Sequence, residues 1–398
     1  MKYTCRPQTT YNIECVLFDL CNLHCTFCYE STGCGKRVNR FNRDYIKELP
    51  EIFKQYHIPK IKKDNKKNIN ISLYGGEVFL DSFPDDLFED YEEFIFKIYR
   101  CLKSEVPDAK LSVFWLSNYT FTKWERVEQL LDATNTNIAT SYDPVGRFHS
   151  PDLLGKWLMT FDHFKDRTIM TTVSLHTKNI EAIINGDRGF EILVNTPQVV
   201  ADASYYTPIY NAFSASINDA FDKFIPSDSD IFDFYKFIVD NRYFSVNIVP
   251  EFMKTALDLG PVNPYCHCDT IESYFHYNPV SLPEGTTYLD EDLGGTCLDS
   301  VEAFMVDEND KKSYYGDNYD IMKNNKNKYA ACYIRRGCMN CEWCQNCQRM
   351  CFSAIMYKNF KPKVCPLDRI YRYIQKDTQL VEDYLKYKPK YNEVRYVR

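Results

Sequence analysis

The residues NIECVLFDLCNLHCTFC, numbered 12–28, place a loop of three cysteines directly behind a run of residues typical of a strand. Cys21, Cys25 and Cys28 follow the pattern C-x3-C-x2-C. Three thiolates within eight residues can bind three irons of a cubane and leave the fourth iron without a protein ligand. Zinc is the main alternative, but a structural zinc site needs four protein ligands, and His24 could supply one only by straining the loop. The loop therefore favours an iron–sulfur site.

Extended and helical patterns alternate along the chain after this point. The extended segments are Asn12–Phe18, Asn68–Tyr74, Lys110–Leu116, Asn137–Tyr142, Thr168–Leu175 and Gln198–Tyr206. The helical segments are Arg43–Tyr56 (broken or kinked near Pro50), Asp85–Ser104, Thr122–Asp132, Pro151–Phe164 and Asn179–Asn185. Six strands separated by five helices imply a parallel sheet with right-handed crossovers. We expect an α/β fold, a partial (β/α)6 TIM-like barrel, with its chemistry at the carboxyl ends of the strands.

Composition and charge narrow the classes of function. The 398 residues carry a formal net charge of −7 without a basic block, which argues against a partner of duplex nucleic acid. No apolar run approaches the roughly 18 residues of a membrane span, and Met1–Asp19 lacks the features of a secretory signal. We therefore expect a cytoplasmic protein without a membrane partner. The chain has 17 cysteines. Because structural disulfides are rare in reducing cytosol, the clustered ones are better explained as metal or iron–sulfur ligands or as redox groups, whereas Cys5, Cys15, Cys34 and Cys101 are most simply lone thiols.

A second motif closes the second predicted strand, which ends in Gly75-Gly76-Glu77. Adjacent glycines at a strand end let a ligand approach the backbone closely. Glu77 offers a carboxylate for an ammonium group. Such a turn is common by itself, but its combination with the cysteine loop is specific.

These residues resemble the radical S-adenosylmethionine (radical SAM) superfamily. The resemblance rests on Cys21, Cys25 and Cys28, on the aromatic Phe27 before the last cysteine, and on residues 75–77. It implies a [4Fe–4S] cluster whose open iron takes the amino and carboxylate groups of S-adenosylmethionine. Electron transfer to the sulfonium then gives a 5′-deoxyadenosyl radical, which abstracts hydrogen.

Further positions match the family by order and strand context. The resemblance implies cofactor contacts from Phe27, Gly75, Gly76, Glu77, Ser117, Asn118, Ser141, Asp143, Arg147 and Ser174. Ser117-Asn118 is similar to the family's Ser/Thr-Asn-Gly turn, although Tyr119 replaces the glycine. Ser141-Tyr142-Asp143 is similar to the family's Ser-x-Asp segment near the ribose, and Arg147 lies nearby in the sequence. Each of these cofactor contacts has an alternative. Ser and Asp at strand ends commonly cap helices. Phe27 could shield the cluster from water instead of packing on adenine.

The densest run of cysteines lies near the C-terminus and is similar to a SPASM domain, the auxiliary-cluster module of many radical SAM maturases. By that resemblance, one auxiliary [4Fe–4S] cluster has the ligands Cys338, Cys341, Cys347 and Cys365. A zinc ribbon is the alternative, since four closely spaced thiols suit zinc equally well.

The first half of this module departs from the family pattern. Cys297 and Cys351 are candidate ligands of a second auxiliary cluster, but the second cysteine that the family has after Cys297 is missing. Asp317 occupies the position of a proton acceptor in sulfatase-maturing relatives; its alternative is a solvated turn residue. The cysteines without an assignment are Cys266, Cys268, Cys332 and Cys344.

The sequence thus predicts a barrel, a connecting segment that shapes the substrate site, a SPASM-like module and a closing helix with a frayed tail. Their ranges are 1–225, 226–296, 297–370 and 371–398. The expected activity is hydrogen abstraction from a peptide or protein side chain, with a flavodoxin- or ferredoxin-like electron donor. A radical SAM enzyme of small metabolites or nucleotides and a zinc-stabilised binding protein remain alternatives.

Overall fold

The structure of the protein is a computed structural model. It describes residues 10–18, 20–23, 25, 43–148, 150–195, 199–202, 226–259, 271–275, 341–343, 346–347, 365–388 and 392–398. No helix in these ranges is both long enough and apolar enough to cross a bilayer.

Seven strands form one parallel sheet in the order β6-β5-β4-β3-β2-β1-β7. The strands are β1 Thr10–Val16, β2 Asn68–Tyr74, β3 Lys110–Ser117, β4 Asn137–Tyr142, β5 Thr168–Ser174, β6 Val199–Asp202 and β7 Ile271–Phe275. Within the described residues, the helices up to residue 195 are α1 Arg43–Ile52, α2 Ile58–Lys63, α3 Leu87–Glu105, α4 Trp124–Thr134, α5 Pro151–Phe164, α6 Thr177–Ile184 and α7 Arg188–Val194. The later ones are α8 Asp228–Asp240, α9 Ile248–Leu257, α10 Pro366–Ile374 and α11 Thr378–Lys386.

The α/β class and the parallel sheet are confirmed, and the arrangement is consistent with a partial TIM-like barrel. The predicted count of six strands is wrong, because β7 pairs with β1 and extends the sheet beyond it. This strand lies in the range assigned to a connecting segment. Because it has only five residues, its alternating pattern is too short to predict a strand from the sequence. The cysteine-rich module falls mostly outside the described residues.

Of the break or kink predicted near Pro50, the break does not occur. Pro50 lies inside α1, and the chain continues through one wider, π-type turn over Phe53–His57 into α2. The helix therefore changes its hydrogen-bond spacing just after the proline instead of ending there. The predicted closing helix is in fact two helices, α10 and α11.

The two faces of the sheet differ in chemistry. On the outer face, the buried ring of Trp115 packs 4.9 Å from Tyr91 of α3, and its indole N–H donates to the Thr136 hydroxyl at 3.0 Å. On the opposite face, Asn70 donates to Asn12 at 2.9 Å and accepts from the Ser112 hydroxyl at 2.5 Å. This polar row across β1, β2 and β3 makes the inner face suitable for lining a site that holds polar groups.

Residues 392–398 pack against the amino ends of the strands, so the expected frayed tail is not observed. Val397 N donates to Leu111 O at 2.8 Å. The buried Asn137 side chain accepts from Arg395 N at 2.8 Å and donates to Arg395 O at 2.9 Å and to Val113 O at 3.1 Å. The tail is thus held at the end of the sheet opposite to the predicted site.

We predict that Asn137→Ala lowers the free energy of unfolding by about 2 kcal/mol, because several buried hydrogen bonds are lost together. Denaturant unfolding followed by circular dichroism measures this. The matched control is Val394→Ala, an exposed residue of the same tail, which should change stability by less than about 0.5 kcal/mol. Equal effects of the two substitutions would contradict the role of the tail.

Candidate functional site

The turn after β2 lies directly against the chain that follows β1. Gly76 N donates to Phe18 O at 2.7 Å, and Glu77 N donates to Leu20 O at 2.8 Å. A Cβ atom added to Gly75 would lie 2.2 Å from Phe18 O. The glycine at this position is therefore required by a close approach of the protein's own backbone. These contacts hold Leu20, which immediately precedes Cys21 of the cysteine loop.

The Glu77 carboxylate, 2% exposed, accepts hydrogen bonds from residues at the ends of two strands. Its Oε1 accepts from Phe79 N at 2.9 Å and from the Ser117 hydroxyl at 2.8 Å. Its Oε2 accepts from Asn118 N at 2.5 Å. A carboxylate has about four acceptor positions, so among the described residues one position has no donor.

Burial raises the pKa of Glu77, while the three hydrogen bonds and the positive charge of Arg147 act in the opposite direction. No lysine, arginine or histidine within the described ranges forms an ion pair with this carboxylate. A buried carboxylate without a direct cation is a strong acceptor for an ammonium group, because pairing offsets the loss of hydration.

Asn118 also contacts the cysteine loop. Its side-chain N–H donates to Cys21 Sγ at 3.6 Å and to Asn22 Oδ1 at 2.9 Å. Leu23 N donates to the same sulfur at 3.4 Å. Two N–H groups are therefore directed at one sulfur, which fixes the position of Cys21 beside the end of β3. Cys25 lies half-buried on the same loop.

Tyr119 stands where the resembling family has glycine, and its backbone has a φ of 57°, in the left-handed region. This conformation is unfavourable for tyrosine but readily adopted by glycine. The side chain is fully buried, and its hydroxyl lies 2.7 Å from the Thr168 hydroxyl. Packing and this hydrogen bond hold the turn in the conformation that lets Asn118 N reach Glu77.

A further polar network occupies the ends of β4 and β5. Asp143 is 0% exposed; its Oδ1 accepts from Gly146 N at 2.6 Å and lies 3.5 Å from His176 Nε2. Arg147 is buried and donates to Ser141 O at 3.0 Å. In this arrangement Asp143 shapes the loop that carries Arg147. Contacts of these residues with a cofactor stay a prediction.

His176 is a member of this network that sequence reasoning missed. It directly follows Leu175 after β5, and its Nδ1 accepts from Asn179 N at 3.2 Å at the start of α6. A histidine just behind a strand end was a usable signal, but only the fold shows that Asp143 is its neighbour. Ser174 ends β5, as predicted, at the same edge of the sheet.

Three of the predicted auxiliary ligands are described, and all are half-buried: Cys341, Cys347 and Cys365. Burial, with the charge of Cys365 as a lesser cause, raises the pKa of Cys341. The Cys347 thiol lies 3.3 Å from the buried Tyr371 hydroxyl. Within the described residues, no three His, Cys, Asp or Glu side chains are grouped so that they could hold a single metal ion.

The remaining predicted site residues lie outside the described ranges. They are Phe27, Cys28, Cys297, Asp317, Cys338 and Cys351. The unassigned Cys266, Cys268, Cys332 and Cys344 lie outside them as well. Their assignments stay predictions.

Comparison with known proteins adds to this geometry. No protein-family model matches the sequence, and no curated protein matches it. A solved structure described as native anSMEcpe with bound AdoMet aligns with a TM-score of 0.54 and 11% sequence identity, over 94% of this chain and 98% of that one. The two proteins share a fold. At this identity the likeness concerns the fold alone.

We predict that Gly75→Ala destabilises the protein by about 2 kcal/mol or more, because the added methyl group collides with backbone that cannot move aside independently. Thermal unfolding measures the loss. The matched control is Gly155→Ala in α5, where the new Cβ would meet nothing within 4 Å. Since alanine favours a helix, the control should stabilise the protein by up to about 1 kcal/mol. A tolerated Gly75→Ala would disprove the close approach.

Proposed function

We propose that the protein is a radical SAM enzyme that abstracts hydrogen from a peptide or protein side chain. The observation that carries this proposal is the position of Asn118. Its backbone N–H bonds the Glu77 carboxylate, and its side chain bonds the Cys21 sulfur. One residue thus joins a thiol loop to a buried carboxylate from a distant part of the sequence. A cofactor that binds a cluster through its amino acid group requires both of them: thiols to hold the cluster and a carboxylate to receive the ammonium group.

The described part of the cysteine loop supports an iron–sulfur cluster. Cys21 offers a soft sulfur with two N–H donors directed at it, and Cys25 lies on the same loop. We propose Cys21, Cys25 and Cys28 as the ligands. When bound and reduced by one electron from a flavodoxin- or ferredoxin-like donor, the cluster supplies the electron that splits S-adenosylmethionine into methionine and a 5′-deoxyadenosyl radical.

The protein's own groups bind and orient the cofactor. We propose that the open acceptor position of Glu77 receives the ammonium group, while Ser117 and Asn118 keep the carboxylate in place. The positive charge of the buried Arg147, which acts to lower the pKa of Glu77, would favour an anionic group of the ligand. The polar row of Asn12, Asn70 and Ser112 on the inner face of the sheet suits a ligand that carries both an ammonium and an anionic group.

A peptide or protein substrate is supported by two points. The structural neighbour is an anaerobic sulfatase-maturating enzyme, and the alignment includes nearly the whole of both chains. The C-terminal cysteines resemble the auxiliary-cluster module of maturases. We therefore also propose an auxiliary [4Fe–4S] cluster held by Cys338, Cys341, Cys347 and Cys365, and Asp317 as proton acceptor.

We predict that Cys21→Ala, Cys25→Ala and Cys28→Ala each abolish formation of 5′-deoxyadenosine, because an iron of the cluster loses its ligand. The measurement is product formation with dithionite after anaerobic reconstitution, together with iron and sulfide content. The control is Cys101→Ala, which removes a half-buried thiol of α3 and should leave the rate unchanged. Parent protein that binds no iron, or undiminished product from the three variants, would refute the proposal.

The pH dependence of cofactor binding tests Glu77 separately. Because burial raises its folded pKa, the carboxyl group must release a proton before it can pair with an ammonium group. Affinity for S-adenosylmethionine should therefore rise with pH by at most about tenfold per pH unit and level off above the folded pKa. Anaerobic equilibrium dialysis measures this.

Glu77→Gln serves as the control, since it should bind S-adenosylmethionine weakly and without this pH dependence. The same raised pKa has a consequence for the unliganded protein. Its unfolded state ionises Glu77 at lower pH than its folded state does, so stability falls as pH rises through the interval between the two pKa values. Identical binding curves for Glu77→Gln and the parent would contradict the assignment.

A further inference from the structure

A closed ring of side-chain hydrogen bonds joins the cysteine loop to the turn after β3. Asn22, which lies between Cys21 and Cys25, donates through its Nδ2 to the Thr120 hydroxyl at 2.8 Å. The Thr120 hydroxyl donates to Asn118 Oδ1 at 2.6 Å. Asn118 Nδ2 donates to Asn22 Oδ1 at 2.9 Å. Each of the three side chains thus donates once and accepts once within the ring.

One backbone group fixes the direction of every bond in this ring. Thr120 N can only donate, and it bonds the Asn118 amide atom at 3.0 Å, so that atom is the oxygen and Nδ2 faces the loop. The Asn22 atom that meets this Nδ2 must then be its oxygen, and the Asn22 Nδ2 faces Thr120. The Thr120 hydroxyl accepts this bond and keeps its single proton for Asn118 Oδ1.

The orientation of the Asn118 amide also determines what Cys21 meets. Since Asn118 Nδ2 faces the loop, its second N–H donates to Cys21 Sγ at 3.6 Å. Turning the amide over would place its oxygen beside the sulfur and its N–H groups against Thr120 N, so two donors would face each other. The ring excludes that arrangement.

The members of the ring differ in burial. Thr120 is 1% exposed and Asn118 is 7% exposed, whereas Asn22 is exposed. Two members are therefore held by the core, and they pass the rigidity of the sheet to a residue of the loop. Opening the ring would leave the buried Thr120 hydroxyl and the Asn118 amide short of partners, which is costly.

We propose that Thr120 and Asn22 are positioning residues that hold the cysteine loop against the turn after β3 before any metal binds, and thereby prepare it for a cluster. The ordering of the loop rests on these hydrogen bonds alone, whereas its role for a cluster rests on the proposed function. A loop that is already ordered loses less conformational entropy when its thiols take up a metal.

The experiment is anaerobic alkylation of the full-length, metal-free protein with iodoacetamide, with the label on Cys21 followed by tandem mass spectrometry. Thr120→Val keeps nearly the same shape but removes the hydroxyl. It should speed the labelling of Cys21 by about tenfold, because two bonds of the ring are lost and the loop opens more often. Thr120→Ser keeps the hydroxyl and should be labelled at the parent rate.

The matched control is Thr134→Val. Thr134 is 0% exposed, and its hydroxyl donates to Leu130 O at 2.6 Å within α4, just before the amino end of β4. This variant should leave the labelling of Cys21 unchanged. The half-buried Cys101 of α3 is the internal reference in every protein, since loosening of the whole fold would speed its labelling as well.

Two results would overturn the ordering of the loop. One is equal labelling of Cys21 in Thr120→Val and Thr134→Val. If Thr120→Val also speeds the labelling of Cys101, the exposed Asn22→Ala decides instead. That variant should speed the labelling of Cys21 and not that of Cys101, and a parent-like rate at Cys21 is the second contrary result.

The role for a cluster has its own measurement. After anaerobic reconstitution, Thr120→Val should lose iron to a chelator faster than the parent, and equal loss would refute this role. Parent protein that takes up no iron would refute the proposed function. The labelling rates, which are measured without metal, would still decide whether the ring orders the loop.

Discussion

The hydrogen bond from Asn118 N to the buried Glu77 carboxylate is the contact around which the candidate site is built. Removing a carboxylate from water is expensive unless donors replace the lost hydration. Here those donors come from the turn of Glu77 itself and from the end of β3. Satisfying this one charge therefore fixes β2 and β3 at their carboxyl ends. Because the Asn118 side chain donates a hydrogen bond to Cys21 Sγ, the same residue also positions the cysteine loop.

Much of the fold could be predicted from periodicity. Asn68–Tyr74, Asn137–Tyr142 and Pro151–Phe164 have the predicted bounds, since alternating apolar residues mark the strands and Ser150 caps the helix by accepting from Leu153 N. These are local signals. Strand Ile271–Phe275 depends instead on pairing with β1, which is far away in sequence. Its five residues form too short a pattern to predict a strand.

The candidate site was predictable in its parts but not in its connections. Spacing and strand context singled out Glu77 and Asn118, yet nothing in the sequence shows that one residue bonds both the carboxylate and a thiol. Tyr119 is instructive, because it replaces the glycine that the resembling family has in this turn. The left-handed backbone persists, held by a buried ring and a hydroxyl contact. A tertiary environment can thus impose a conformation that the residue type disfavours.

Strand β4 shows how one element serves stability and chemistry at opposite ends. At its amino end, the Asn137 side chain binds the backbone N–H and C=O of Arg395. Every residue except proline has these two groups, so this contact constrains the fold but leaves the side chains of the tail free to vary. At its carboxyl end, Ser141 O receives Arg147, whose charge acts on Glu77. Since parallel strands align their ends, changes at the Asn137 end can alter stability without touching the electrostatics around Glu77. The separation explains why a sheet with so little sequence identity to a solved neighbour can keep the fold: most of its pairing relies on backbone groups, whereas the carboxyl edge depends on a few particular side chains.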